Sequence, residues 1–294
     1  MKSSSKNKPA PPPAPTLAPA AVRRCQPLLG TFVEVTAGGA SEPRLGAAVD
    51  AAFAAVAAVH QLLSAHDPRS ELSEVNRRAH RRPVPVSATT FLVLTRARAL
   101  AEASDGAFDF TVGGILARWG LRPACLRRSP GGDWQDVELL AGRRVRFRRP
   151  VALDLGGIAK GFAVDEAIQA LQDHGVRAGV VNAGGDLRAF GEEPIVVYLR
   201  HPAAPAQPVR PIRLTNAALA TSSPCFTRRR WRGQTISHLV RRDHQRAITR
   251  AISVSVQARE CWLADALTKV VLNATAEADA LLAAHRATAH ILAA

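Results

Sequence analysis

From Thr31 to Thr36 the chain alternates apolar and polar positions (TFVEVT), the period of a half-buried strand. Between Pro43 and His66 the pattern changes. Leu45, Val49, Phe53, Val56, Val59, Leu62 and Leu63 recur at helical spacing in an alanine-rich background, which predicts a long helix. Ser70 to Asn76 opens on a serine followed by acidic residues and predicts a short capped helix. Another helix is predicted from about Ser87 to Ser104, stopped by the turn signal Asp105-Gly106.

The stretch from Leu121 to Pro150 is rich in turn residues, with Pro130-Gly131-Gly132 and a basic strand near Val145. A strand at Val151 to Leu155 is expected to run into Gly156-Gly157, with a helix from about Ile158 to His174. Strands follow at Ala178 to Asn182, Asp186 to Phe190 and Ile195 to Leu199, then one long helix from Glu260 to His285 and a final strand over 287–292. Helices and strands mix without strict βαβ alternation, and no internal repeat is present. The pattern predicts a chain that mixes helices and strands, and its length suits one large domain as well as two smaller ones. Residues 1–22 are rich in Ala, Pro and Lys and predict a disordered or polyproline-like arm.

Composition narrows the function classes. With 294 residues and 47% hydrophobic positions, the chain is long and apolar enough to bury a substantial core. No run approaches the roughly 18 to 20 uninterrupted apolar residues of a bilayer span, so no transmembrane segment is expected. Prolines at 9, 11, 12, 13 and 15 interrupt any secretory signal, and Arg23-Arg24 directly before Cys25 speak against a lipidated cysteine. The expected location is the cytoplasm. The net charge of +15 is carried by dispersed arginines without interleaved aromatics, so nucleic-acid binding is not expected. Cys25, Cys125, Cys225 and Cys261 are scattered without metal-ligand spacing, which argues against zinc and for free thiols.

Two glycine-centred turns carry candidate chemistry. In Leu153-Asp154-Leu155-Gly156-Gly157-Ile158-Ala159-Lys160-Gly161 an apolar run meets two glycines just before a helix. Backbone can approach a ligand closely there, and amides at a helix start favour anionic oxygens. Lys160 is placed to meet a phosphate or to pair with Asp154. Neither GxxxxGK[ST] nor GxGxxG is present, and a tight strand-to-helix turn without a ligand explains the segment equally well. The second turn, Asn182-Ala183-Gly184-Gly185-Asp186, reads by itself as a hairpin connection.

Taken in order, these segments resemble the ApbE family of FAD:protein FMN transferases from residue 25 to the C-terminus. The resemblance rests on Leu29-Gly30-Thr31, Leu63-Ser64, Ser70-Glu71-Leu72 with Asn76, Ala107-Phe108-Asp109-Phe110-Thr111-Val112-Gly113 with Trp119-Gly120, both glycine turns, Ala220-Thr221-Ser222, His238, and Ala264-Asp265-Ala266-Leu267. It implies an α+β fold of mixed sheets packed against helices, in a single domain over residues 23–294. It also implies FAD as substrate, magnesium as cofactor, and transfer of FMN to a Ser or Thr hydroxyl of an acceptor protein with release of AMP. By the same resemblance, Leu29, Ala107, Phe108, Asp109, Asp154, Lys160 and Val240 should lie along FAD. Gly157, Asp265 and Thr268 should hold the metal, and His238 should stand near the reacting phosphate. A chain that binds FAD without transfer, or hydrolyses it to FMN and AMP, uses the same residues. The resemblance does not fix the oligomeric state.

Four positions depart from the family pattern. Leu29 replaces Met, a volume-conserving change. After His238 the family's Ile-Ile-Asp-Pro-x-Thr-Gly gives way to Leu239-Val240-Arg241-Arg242-Asp243-His244, and Thr-Ser-Gly becomes Thr221-Ser222-Ser223-Pro224, so both loops are expected to take other shapes. Lys269 stands where the family has a Thr, one helical turn beyond Asp265. Its ammonium either occupies the metal position and takes over part of the cation's role, or makes an exposed i,i+4 ion pair. Five lysines stand against 34 arginines, and Lys160 and Lys269 are the only two beyond residue 8. That retention favours a compact point charge at both positions over a planar fork.

Overall fold

The alternation at Thr31 builds β2 (Thr31–Gly38), which pairs antiparallel with β1 (Ala21–Leu28) through a two-residue turn at Leu29-Gly30. Both turn residues have left-handed backbone, Leu29 with φ 57° and Gly30 with φ 71°, as a type I′ hairpin requires. The computed structural model describes residues 21–129, 131–225, 227–243, 246–273 and 275–294. The predicted arm lies outside them, except that Ala21 and Val22 already belong to β1.

Helix α1 (Glu42–Leu63) buries the stripe Leu45, Val49, Phe53, Val56, Val59 and Leu63. By length and composition alone it is apolar enough to cross a bilayer. Asp50 and His60 interrupt its sequence, so it contains no uninterrupted apolar run of that length. Helix α2 (Glu71–Arg78) is capped by Ser70, whose hydroxyl accepts from Ser73 N–H at 3.0 Å. A short β3 (Val84–Pro85) leads to α3 (Ala88–Ala103), capped by Ser87 and ended at Asp105-Gly106, both with positive φ. Next come α4 (Gly113–Arg118), two short 3-10 turns, β4 (Val137–Leu140) and β5 (Arg144–Phe147).

The strand predicted at Val151 to Leu155 is not a ladder strand. Asn76 serves the backbone of Leu153 with both ends of its amide, and Asp154 N–H donates to Phe110 O at 2.8 Å. The segment stays extended because a side chain supplies the hydrogen bonds that a neighbouring strand would have given. Helix α5 (Ala159–Asp173) follows, then the β6 (Ala178–Ala183) and β7 (Asp186–Phe190) hairpin, turned by Gly184 (φ 65°) and Gly185 (φ 105°).

The long hairpin of β8 (Ile195–His201) and β9 (Ala204–Leu214) precedes β10 (Ala217–Ser222), the small β11 (Arg229–Trp231) and β12 (Gln234–Ile236) ribbon, and β13 (Ile252–Ala258). The helix predicted from Glu260 to His285 is two helices, α6 (Cys261–Asn273) and α7 (Glu277–Ala284), before β14 (Thr288–Ala293). At the end of α6 the Asn273 side chain donates to Ala107 O at 3.0 Å and accepts from Arg242 N–H at 2.9 Å. These tertiary bonds hold the residue that closes the first helix, and asparagine is in any case a weak helix former.

One sheet of order β1-β2-β6-β7-β10-β13-β14, antiparallel at every pairing, organises the domain. On one face Val33, Val35, Val181, Ala220, Val254 and Val256 join the core of α1, α5 and α6. On the other, Val180, Leu187 and Leu219 pack against Ile195, Leu199, Ile212 and Leu214 of the β8–β9 hairpin. The sheet is thus enclosed between a helical layer and a two-stranded ribbon.

Candidate active site

Turns from distant parts of the chain meet at one end of this sandwich and enclose a cavity of about 1360 Å3. Leu29 enters from the β1–β2 turn and Ala107, Phe108 and Asp109 from the segment after α3. Asp154, Gly157 and Lys160 come from the turn into α5, His238 and Val240 from the loop after β12, and Lys269 from α6. Every residue expected along FAD therefore lines one space, together with His238 and Lys269. Asp265 and Thr268 do not line it. They are 1% and 0% exposed and lie beneath the cavity floor.

Asp109 is fixed by Thr111, whose N–H and hydroxyl both reach its Oδ1 at 2.7 Å. Asp154 does not pair with Lys160. Its partner is Arg122, which approaches with Nε on Oδ2 and with Nη2 on Oδ1 at 3.3 Å, while Gly156 N–H donates to Oδ1 at 3.0 Å. Burial works against the Asp154 carboxylate, but the charge and hydrogen bonds of Arg122 outweigh it and hold the group below the usual range.

Lys160 points the other way. Its ammonium pairs with Asp186 at the start of β7 and stands 3.6 Å from Asp265 Oδ2. Burial disfavours that ammonium, yet Asp186 and Asp265 outweigh burial and raise its pKa, so it stays charged. Asp265 is likewise held low against burial by Lys160 and Lys269. Asp186 is pushed up by burial and by the neighbouring Asp265 carboxylate.

The amides of the two bends are largely used within the protein rather than offered to a ligand. Gly156 N–H serves Asp154, Ile158 and Ala159 N–H serve Leu155 O, Gly161 N–H serves Asp265 Oδ2, and Gly185 N–H serves Asn182 Oδ1. The positive charge lining the cavity comes from side chains, with Arg122, Lys160 and Lys269 beside the two bends and Arg200, Arg241 and Arg242 elsewhere on the wall.

His238 Nδ1 and Thr227 Oγ1 are 2.6 Å apart, and the same hydroxyl donates to Pro224 O at 3.4 Å. When that hydroxyl donates to Pro224 O it accepts from Nδ1–H, and this tautomer places the lone pair on Nε2. Burial, reinforced by Lys269, Lys160 and Arg122, lowers the His238 pKa to about 4. The ring is therefore neutral at neutral pH. The loop beyond it, without the family's Asp-Pro and Gly, closes as a small hairpin: Ile248 N–H donates to Leu239 O at 2.8 Å, Arg241 N–H to Arg246 O at 2.9 Å, and Val240 bridges Ala247. His244 lies outside the described residues.

A divalent cation between Gly157 and Asp265 does not fit this donor set. Lys269 Nζ binds Asp265 Oδ1 and reaches the Asp265 carbonyl at 2.9 Å. Oδ2 takes Gly161 N–H at 3.2 Å. The Thr268 hydroxyl donates to the Asp265 carbonyl at 2.6 Å and shares a bond with Ser222 Oγ at 2.7 Å, so it faces inward. The Lys269 stem covers Gly157, where an added Cβ would lie 3.3 Å from Lys269 Cε. Among the described residues no group of three or more His, Cys, Asp or Glu is placed to hold a metal. Magnesium needs a near-octahedral set of oxygens, and an ammonium has three donors and no acceptor. Forcing a divalent ion about 4 Å from an ammonium would cost on the order of 8 kcal/mol at an effective dielectric near 20. The alternative of an exposed i,i+4 pair is also set aside, because the Lys269 and Asp265 side chains are only 19% and 1% exposed.

Sequence reasoning missed Arg122, Asp186 and Thr227. Asp186 left a trace, a carboxylate directly after Gly184-Gly185 at the start of a buried strand. Arg122 left none among 34 arginines.

The sequence model of the ApbE family matches residues 29–292. An FAD:protein FMN transferase of Vibrio cholerae is 29% identical over 229 residues, 71% of this chain and 68% of that protein. One of Treponema pallidum is 32% identical over 161 residues, a match that spans 49% of this chain and 44% of the relative. The crystal structure of the ApbE protein of Thermotoga maritima superposes with a TM-score of 0.81 at 26% identity, covering 92% of this chain and 93% of that one. Fold, motif order and family match coincide: the chain belongs to the ApbE family.

Proposed function

We propose that this protein transfers the FMN moiety of FAD to a Ser or Thr hydroxyl of an acceptor protein and releases AMP. The observation that carries this reading is a single cavity that gathers Leu29, Phe108 and Asp109 with two ammonium groups and a neutral histidine. Its volume of about 1360 Å3 exceeds the roughly 300 to 1,000 Å3 of a typical small-ligand site and suits a dinucleotide. Leu29 and Phe108 supply apolar wall for the flavin. Lys160, Lys269 and Arg122 supply the positive field that a diphosphate needs.

In the transfer the acceptor oxygen forms a new bond to the FMN phosphorus, and the P–O bond to AMP breaks with its electron pair leaving on AMP. The hydroxyl proton goes to Nε2 of His238, which is neutral and carries the lone pair there. Lys160 keeps its proton throughout, since Asp186 and Asp265 hold it. The test is incubation with FAD and a Ser/Thr acceptor peptide, followed by intact mass and AMP quantitation. An FMN adduct with equimolar AMP is expected. AMP without adduct would make water the acceptor, and FAD left intact would overturn the reading.

A further inference from the structure

We infer that the Lys269 ammonium is the resident cation of this site, so that FAD binding and FMN transfer proceed without a divalent metal. The inference rests on the proposed function for the identity of the substrate and goes beyond it in naming the charge that serves the diphosphate.

Three observations carry it. Lys160 and Lys269 form a quartet with Asp186 and Asp265 in which every carboxylate is covered. The carboxylates are 3% and 1% exposed, whereas the lysine side chains are 35% and 19% exposed. A ligand in the cavity therefore meets chiefly the two ammonium groups, with Asp265 beneath the floor and Asp186 almost covered at the wall. Second, Lys269 is held by two acceptors of one residue, the Asp265 carboxylate and carbonyl, and its stem lies against Gly157. This is the placement of a fixed charge rather than of a side chain swinging in solvent. Third, Thr268 is turned away toward Ser222, so no hydroxyl competes for the position.

The chemistry balances without a metal. The acceptor oxygen bonds to phosphorus, the bridging P–O bond breaks toward AMP, the hydroxyl proton passes to His238, and both ammonium groups keep their protons while offsetting charge on the phosphoryl oxygens. Lysine suits this use as a compact point charge.

The test compares wild type with Lys269→Thr, using Mn2+ as the probe in electron paramagnetic resonance titrations and flavin fluorescence for FAD affinity in EDTA or MgCl2. Wild type is expected to show no saturable Mn2+ site and an FAD affinity unchanged within about twofold by EDTA, whereas Lys269→Thr gains a saturable Mn2+ site and binds FAD about tenfold tighter with Mg2+ than without. A saturable Mn2+ site in wild type, or wild-type FAD binding weakened about tenfold by EDTA, overturns the inference alone. Failure to bind FAD in either buffer overturns the proposed function and this inference with it. Should the variant not fold, the wild-type titrations decide by themselves.

Discussion

The side-chain amide of Asn76 accepts from Leu153 N–H at 2.7 Å and donates to the Leu153 carbonyl at 3.1 Å, across 77 residues of sequence. One side chain thereby aligns the segment that carries Asp154 and the turn into α5. Asn76→Ala would leave a donor and an acceptor of a fully buried residue without partners, a loss on the order of 2–4 kcal/mol. Urea melts should show that loss together with weaker FAD binding. A variant as stable as wild type would mean that the amide is not what holds Leu153.

Arg122 and Asp154 make the second long-range pair. Removing the arginine strands a carboxylate that is 6% exposed, at a cost of about 3–5 kcal/mol. The sign of the pH dependence should also reverse. In wild type the depressed Asp154 pKa contributes stability above the unfolded value, and this is lost as pH falls. In Arg122→Ala burial outweighs the remaining Gly156 N–H bond, the pKa rises, and acid restores stability. Denaturant melts across acid pH should show the reversal, with Arg122→Ala/Asp154→Asn recovering part of the loss. Equal slopes in wild type and Arg122→Ala would exclude the pair as the cause.

His238 is lowered to about 4 from an ordinary 6.5. Between these values the unfolded state binds the proton and the folded state does not, so stability falls as pH is lowered through that window, by about 3 kcal/mol in total. The acid limb of kcat/KM for transfer should accordingly lie near pH 4, with activity flat through pH 6.5. A limb at 6.5 would show the ring to be solvated. Thr227→Val, which removes the hydroxyl bonded to Nδ1, should lower kcat with little change in FAD affinity.

Leu29 holds φ 57° at the rim of the cavity, a conformation that costs a non-glycine residue roughly 1–2 kcal/mol. Asn tolerates it better. Leu29→Asn should raise the melting temperature while weakening FAD binding, because the apolar wall is lost. If affinity were unchanged, Leu29 would not touch the flavin.

What the sequence revealed and what it concealed follow one division. Local patterns were legible: the α1 stripe, the Ser70 and Ser87 caps, the Gly184-Gly185 hairpin. Strand β10 was not, because it lies in the middle of the sheet with both faces covered, so its residues do not alternate. Strand β13 does alternate, with Ile252, Val254 and Val256 set between Ser253, Ser255 and Gln257, a legible strand signal that was missed. Strand β1 is an edge strand with Arg23, Arg24 and Pro27 and carries almost no apolar rhythm. The residues expected along FAD, all of which line the cavity, came from the order of motifs, but their pairings did not. Lys160 meets Asp186 and Asp154 meets Arg122, over 26 and 32 residues, distances over which no periodicity speaks.

The walls of the cavity span nearly the whole domain, from Leu29 in the first hairpin to Lys269 and Asn273 in the penultimate helix. No contiguous fragment holds both the flavin rim and the ammonium floor. Capture of a dinucleotide must then wait until the two ends of the chain have docked, with Gly161 of α5 pressed against the Cys261 carbonyl of α6 so closely that an added Cβ would stand 2.2 Å away. The ligand can reward that meeting but has no means of seeding it.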